Sequence, residues 1–259
     1  MKLVQVSDTH LGPPGERVFG LDPAAALEQC VAHINGNHAD AEMCVVTGDL
    51  VNGGTAAEYG ALKRVLSGLA MPYRLIPGNH DARDTLRAAF PDLPFEPGEF
   101  LHQAVETAGA TLLLVDTHQP GRESGRLCAD RLAWIETRLS ESTRPVLVFM
   151  HHPPVAIGHA AMDRMPLRNP EPFLAILARH REKVRHVFFG HVHRPFFTVV
   201  DGIGCSSVPG TCHQISLIGM ERGDLYASTE PGGYAVILFD GTRVGVHVQA
   251  FAEAAVFGV

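Results

Sequence analysis

Short apolar runs bounded by turn residues recur along the chain. Leu3–Val6, Met43–Thr47, Tyr73–Ile76, Thr111–Val115 and Val146–Met150 read as buried strands of four or five residues. Between the first of them the hydrophobic period lengthens. Asp22-Pro23 opens a helix, with Asp as N-cap and Pro in the first helical position. Thr55-Ala56-Ala57-Glu58 has capping-box spacing ahead of Tyr59–Leu69. A short helix is expected near Arg83–Phe90, and Leu132, Ile135 and Leu139 give helical spacing to Arg131–Leu139. Val187–Phe189, Phe196–Val200, Tyr234–Phe239 and Val244–Val248 complete a strand-rich second half. The alternation in the first half predicts βαβ units, and the later strands, with few helices between them, predict a second sheet. Pro153–Pro170 and Ser216–Gly233 show no clear period and are expected to be excursions that cover a site. No linker, repeat or low-complexity tract divides residues 1–259, so a single domain is expected.

Composition narrows the class. Apolar residues make up 46% and charged residues 19% of the 259, which fits a globular chain and excludes a disordered one. The net charge is −7, only Lys2, Lys63 and Lys183 are lysines, and no basic tract occurs. Phosphate-rich partners need clustered positive charge, so nucleic acid and anionic membrane are not expected as partners. The five cysteines are odd in number and form no Cys-x-x-Cys, which implies a reducing compartment and no thiolate metal site. Neither a signal-peptide core nor a membrane span is legible, and a cytoplasmic protein is expected. Fifteen histidines, five times the lysines, call for a closer look at where they stand.

Five turns concentrate the chemistry, each just past the expected carboxyl end of a strand. They are Asp8-Thr9-His10, Gly48-Asp49, Gly78-Asn79-His80-Asp81, His151-His152-Pro153-Pro154 and Gly190-His191-Val192-His193. Strand carboxyl ends are where α/β sheets bind ligands. Asp-x-His and His-x-His put two ligand atoms on one side of an extended segment, because side chains alternate with period two. The glycines permit tight turns and close backbone approach. Carboxylate, carbonyl and imidazole donors without thiolate suit Mn, Fe, Co or Zn. More such groups stand here than one tetrahedral site uses, which suits two metals that share a carboxylate.

The ordered set of blocks resembles the calcineurin-like metallophosphoesterase superfamily, without a substitution, from residue 8 to residue 193. The resemblance implies an α/β fold: a four-layer α/β/β/α sandwich of two mixed sheets flanked by helices, with a dinuclear metal site at the strand ends. It further implies that Asp8, His10 and His193 hold one metal, that Asn79, His151 and His191 hold the second, and that Asp49 bridges them. Mn or Fe is the expected metal, with Co or Zn as alternatives. A narrower resemblance rests on Gly15-Glu16-Arg17-Val18-Phe19-Gly20, on the Pro-Pro-x-x-x-Gly after His152, on Met162-Asp163 and on Pro209-Gly210-Thr211-Cys212-His213-Gln214. These are similar to bacterial class III cyclic-nucleotide phosphodiesterases and metal-dependent glycerophosphodiesterases. The chain ends soon after Phe251, so carry-over of a homo-oligomeric state is weakened.

The expected reaction is hydrolysis of a small phosphodiester, a 3′,5′-cyclic nucleotide or a glycerophosphodiester, by hydroxide generated between the metals. His80 is expected to hydrogen-bond the phosphoryl group or to protonate the leaving alkoxide. Asn79, His80, His213 and Leu21 are candidate substrate contacts. Asp81 has two readings, orienting His80 or capping the following helix. His152 is read as a supporting residue. A phosphomonoesterase or nucleotidase on the same scaffold is the alternative, and a non-catalytic metal-binding scaffold is a distant third.

Overall fold

The computed structural model describes residues 1–252. In chain order the elements are β1 (Lys2–Val6), α1 (Pro23–His38), β2 (Met43–Thr47), α2 (Ala56–Leu66), β3 (Tyr73–Ile76), α3 (Arg83–Ala89), β4 (Gln103–Glu106), β5 (Thr111–Val115), β6 (Gly125–Arg126), α4 (Ala129–Glu141), β7 (Val146–Met150), β8 (Leu167–Arg168), α5 (Glu171–Arg179), β9 (Val184–Phe189), β10 (Phe196–Val200), β11 (Ile203–Ser207), β12 (Gln214–Ile215), β13 (Ala227–Ser228), β14 (Gly233–Phe239) and β15 (Val244–Ala250).

Two mixed sheets result, ordered β15-β14-β1-β2-β3 and β10-β11-β9-β7-β5-β4. Each has parallel central strands and an antiparallel edge. The alternation of side chains explains the layers. From β1, Val4 and Val6 face outward onto Leu27 and Ile34 of α1 and Leu62 and Leu66 of α2. Leu3 faces inward, packing with Val45, Ile76, Leu112, Leu147, Phe149 and Phe188 between the two sheets. Leu113, Val148 and Val187 face outward again, onto Ile135 and Leu139 of α4 and Phe173, Ile176 and Leu177 of α5. This is the expected four-layer α/β/β/α arrangement. Both faces of the central strands are covered, which is why their sequences are continuous apolar runs. Gln5 is the polar exception: its amide donates to Thr47 Oγ1 (3.1 Å) and to the Phe189 carbonyl (3.0 Å), tying the sheets together below the rim.

The caps fall where the sequence puts them. Asp22 Oδ1 accepts the amides of Ala24 and Ala25, both at 3.1 Å. Thr55 and Glu58 close a reciprocal capping box at the start of α2. Helix α2 stops at Leu66, earlier than expected, because Asn35 of α1 takes the Gly68 carbonyl and the Ala70 amide.

Other expectations are corrected. The strands β14 and β15 do not join the second sheet. They return to the first, where β14 runs antiparallel beside β1 and Phe239 accepts from the Met1 terminus. Helix α5 and strand β4 were not expected. The helical spacing of Phe173, Ile176 and Leu177 occupies only nine residues behind Pro170 and Pro172, too short to stand out as a period.

Candidate functional site

Parallel strands place their carboxyl ends on one rim, so the five turns converge there. Backbone bonds lace them together: Asp8 N–H to Gly48 O, His10 N–H to Asp49 O, and Gly190 N–H to His151 O. The turns are strained. Asp8 (φ 53°), His10 (45°), Asp49 (47°), His191 (71°) and His193 (47°) all occupy the left-handed region, which non-glycine residues rarely enter. Such strain gathers where a site over-determines the backbone. Two glycines are required by packing: a Cβ on Gly48 would collide with the His151 ring, and one on Gly78 with the Asp49 carboxylate.

The side chains form two groups around Asp49. In one, His10 Nε2 lies 3.1 Å from His193 Nε2, and His193 Nε2 lies 3.6 Å from Asp8 Oδ1. In the other, His151 Nε2 lies 3.2 Å from Asn79 Oδ1, with His191 stacked edge-on against the His151 ring. Asp49 sits between them, Oδ2 3.6 Å from His10 Nε2 and Oδ1 3.4 Å from His151 Nε2. All but Asn79 are buried.

Backbone carbonyls fix the tautomers. His151 Nδ1 donates to Thr47 O (2.8 Å) and His193 Nδ1 donates to His213 O (2.9 Å), leaving each Nε2 lone pair aimed inward. His191 Nε2 is buried with no partner among the described residues. Facing imidazole nitrogens, an orphaned third and two carboxylates crowd more lone pairs into the site than its protons can satisfy. That set fits divalent cations, and Asp8, His10, Asp49 and His193 bring ligand atoms within 4.8 Å of one another.

Without an ion, Asp49 and His151 hold each other as a charged pair. Burial pushes the Asp49 carboxyl up, but the imidazoles of His151 and His10 outweigh it and hold it well below the usual carboxylate range. Burial lowers His151 too, yet Asp49 prevails and raises it to about 9. His191 is pushed down to about 3 by burial and by His151, and so stays neutral.

The remaining candidates separate. His80 is exposed; its amide donates to Asp49 Oδ1 (2.9 Å) and its Nδ1 to the Asn52 carbonyl (3.1 Å), so Nε2 is the free nitrogen. Asp81 takes neither of its expected roles. Its Oδ2 accepts the amides of Gly78 (2.8 Å) and Leu50 (3.1 Å), and its Oδ1 the Tyr59 hydroxyl (2.8 Å). It binds the turns after β2 and β3 to each other, while the N-cap of α3 is Ala82, which has no side chain to cap it. Burial, reinforced by Asp49, raises the Asp81 carboxyl to about 7. His152 has both nitrogens engaged, Nε2 donating to Glu123 O (3.0 Å) and Nδ1 accepting from Thr117 Oγ1 (2.7 Å).

His213 is buried, its ring 4.5 Å from that of His193 and 5.2 Å from that of His10, and its Nδ1 has no partner among the described residues. Gln214 braces this loop through both the amide and the carbonyl of Gly210. Leu21 does not reach the site. Val18 and Leu21 exchange backbone bonds at the base of a turn (3.0 and 2.9 Å), and Phe19 stands at its tip with φ 51°, 66% exposed and 5.1 Å from the His213 ring.

The turns floor a cavity of about 450 Å³. Phe19 and Val18, Met162 and Met165 from the stretch 153–170, and Leu225 and Ala227 from the stretch 216–233 wall it. No lysine or arginine lines it among the described residues.

Two supports escaped the sequence reading. Asn52 acts through its carbonyl, which no side-chain pattern encodes. Asp116-Thr117-His118, after β5, repeats the tripeptide of Asp8-Thr9-His10 and is the signal that was available. Its Asp116 is consumed by Arg83 (Nε 2.6 Å, Nη2 3.1 Å) and by the amides of Leu101 and His118, and its Thr117 holds His152.

Residues 1–195 match the family of calcineurin-like phosphoesterases. A probable cyclic nucleotide phosphodiesterase of Rhodopseudomonas palustris is 38% identical over 97% of this chain and 93% of its own length. A glycerophosphodiester phosphodiesterase of Enterobacter lignolyticus is 33% identical over 89% and 84%. Among solved structures, a dimetal phosphatase of Danio rerio superposes with a TM-score of 0.73 at 14% identity, covering 97% of this chain and 96% of that one.

Proposed function

The chain belongs to the calcineurin-like phosphoesterase family, and from that premise we propose that it is a two-metal phosphodiesterase acting on small diesters: 3′,5′-cyclic nucleotides, glycerophosphodiesters, or both. One observation carries the reading. Asp49 turns one carboxylate oxygen to each of two imidazole-bearing donor groups.

Asp8, His10 and His193 would hold one ion, Asn79, His151 and His191 the other, and Asp49 both. A donor set of nitrogen and oxygen without thiolate favours Mn or Fe, with Co or Zn as alternatives. When bound, such ions supply Lewis-acid polarisation of the phosphoryl group and activation of the attacking water.

The chain's own residues do the rest. His80, its Nδ1–H held by the Asn52 carbonyl, offers Nε2 to the cavity; as the imidazolium it hydrogen-bonds the phosphoryl group and hands its Nε2 proton to the departing alkoxide, leaving the neutral ring. Asn79 orients the phosphate from the same turn. Phe19, Met162, Met165 and Leu225 take the non-reacting arm of the diester, and His213 adds a polar contact beyond the phosphate. A monoester dianion would need added positive charge, and the cavity has no arginine or lysine among the described residues; a singly charged diester suits it better. No helix among the described residues is long and apolar enough to cross a membrane, and the five cysteines are all free thiols, which supports a cytoplasmic setting.

The test compares bis-p-nitrophenyl phosphate with p-nitrophenyl phosphate on enzyme stripped by chelator and reloaded with Mn. Faster turnover of the diester supports the reading. Preference for the monoester makes the protein a phosphomonoesterase or nucleotidase. Failure on both, with two metals bound, makes it a scaffold.

A further inference from the structure

Beside the metal-bearing cavity lies a recess of about 280 Å³, lined by Arg122, Ser124, Arg164 and Arg168. Glu123 and Met165 line both, so the two adjoin. On its far side Arg164 and Arg168 also border a larger recess of about 720 Å³, whose wall adds Arg126. Four arginines therefore line two adjoining recesses, with Asp163 also in the wall of the larger, in a chain of net charge −7.

None of the four forms an ion pair with a described residue. The ion pairs among the described residues use other basic side chains. Arg126 and Arg168 are register partners in the parallel pair β6–β8, both exposed, so two like charges are held side by side at the rim. Two of the arginines are pre-positioned by one nitrogen each: Arg168 Nε donates to the buried Ser124 hydroxyl (2.7 Å), and Arg164 Nη2 to the Gly223 carbonyl (3.1 Å). Their remaining N–H groups make no hydrogen bond to another described residue. A guanidinium is a planar fork matched to phosphate oxygens, and several forks around one recess suit a dianion with three acceptor oxygens better than a carboxylate. Glu123, the only carboxylate lining both among the described residues, would oppose a polyanion running through.

We propose that this arginine recess binds a second phosphate carried by the substrate, so that the preferred diesters bear a phosphomonoester on the arm that passes Glu123. This rests on the phosphodiesterase reading and names its substrate class: a diester with a terminal phosphate, distinct from one with neutral arms.

The test uses a matched pair, thymidine 5′-(p-nitrophenyl phosphate) and its 3′-phosphorylated derivative. In the wild-type holoenzyme the 3′-phosphate is expected to raise kcat/KM about tenfold, as charged hydrogen bonds of this kind allow. In Arg164→Gln/Arg168→Gln the ratio should fall towards one. Arg122→Gln, whose guanidinium makes no hydrogen bond to another described residue, should move it the same way and guards against a folding defect in the double variant. Calorimetric titration separates the two readings. Thymidine 3′,5′-bisphosphate should bind the double variant about tenfold more weakly, while thymidine 5′-monophosphate binds both proteins alike. If neither ester is hydrolysed and that difference persists, the diesterase reading falls and the recess stands. An unchanged kcat/KM ratio with unchanged bisphosphate affinity overturns the recess. Inorganic phosphate binding as tightly as the bisphosphate, with no effect of the 3′-phosphate on kcat/KM, makes it a site for the free ion and overturns the substrate assignment.

Discussion

Asp8 accepts the backbone N–H of His191 with both carboxylate oxygens, at 3.0 and 3.1 Å. One side chain thereby ties the turn after β1 to the turn after β9, across the seam between the two sheets. Asp8 is thus a fastener as well as a candidate ligand. Asp8→Ala is expected to cost about 1–3 kcal/mol of stability in metal-free protein, the range for a buried donor left unpaired. His193→Ala, which leaves that bond intact and removes only the His193 donor to the His213 carbonyl, should lose metal and cost less metal-free stability than Asp8→Ala. Urea titrations of the two variants in chelator check this; equal midpoints would reduce Asp8 to a ligand alone.

Asp49 faces both donor groups, so its loss should be felt at both. Asp49→Ala is expected to abolish activity and to lower total metal content further than His193→Ala does. Elemental analysis of the purified variants decides it, and two-metal occupancy in Asp49→Ala would refute the bridge.

His80 has Nδ1 committed to Asn52, so its chemistry runs through Nε2. His80→Ala should retain both metals. A proton donor matters most for a poor leaving group, so the rate should drop far more on an alkyl or ribose diester than on a p-nitrophenyl one. Equal losses on both substrates would make His80 an electrostatic stabiliser.

Phe19 and His213 stand together at the cavity wall, ring centroids 5.1 Å apart. Each is expected to set the preference among diester arms with the phosphate contacts unchanged. Phe19→Ala and His213→Ala should shift the kcat/KM ratio of a cyclic nucleotide to a glycerophosphodiester by roughly three- to tenfold. Metal content should not change. A constant ratio with wild-type rates would remove the residue from the pocket.

Asp116 is fully buried against Arg83, and Arg131 Nη1 lies 3.8 Å from it. Burial raises its carboxyl, but the Arg83 hydrogen bond and charge prevail and leave it below the ordinary value of 3.8. A carboxyl depressed on folding contributes stability above its unfolded value, and that contribution fades as pH falls through the folded one. Asp116→Asn, which strands two buried guanidiniums, should therefore cost about 3–5 kcal/mol at pH 7. The gap from wild type should narrow below pH 3.8. Urea midpoints across pH 3–7 test the sign; a gap that widens on acidification contradicts it.

What the sequence determined by itself was local. Apolar runs of four or five residues with both faces destined for burial located the central strands, and Asp22 and Thr55 located two helix starts. The ordered turns located the seven candidate ligands, because chain direction alone puts successive strand ends on one rim once the strands are parallel. The tertiary structure decided what depends on partners far away in the chain. It returned β14 and β15 to β1, since an edge strand's partner is chosen by exposed backbone and shared apolar face, not by neighbourhood in sequence. It set Phe19 at the cavity in place of Leu21, because a two-way backbone pairing turns the tip residue towards His213. It gave Asp81 to the amides of Gly78 and Leu50 and left His80 to a backbone carbonyl. The two copies of Asp-Thr-His make the division plain. Asp8-Thr9-His10 turns left-handed at the mouth of the seam and aims His10 at Asp49 and His193; Asp116-Thr117-His118 meets Arg83 and becomes a strut. The same three side chains take different work because burial beside a guanidinium saturates a carboxylate, whereas burial beside imidazole lone pairs leaves it a donor.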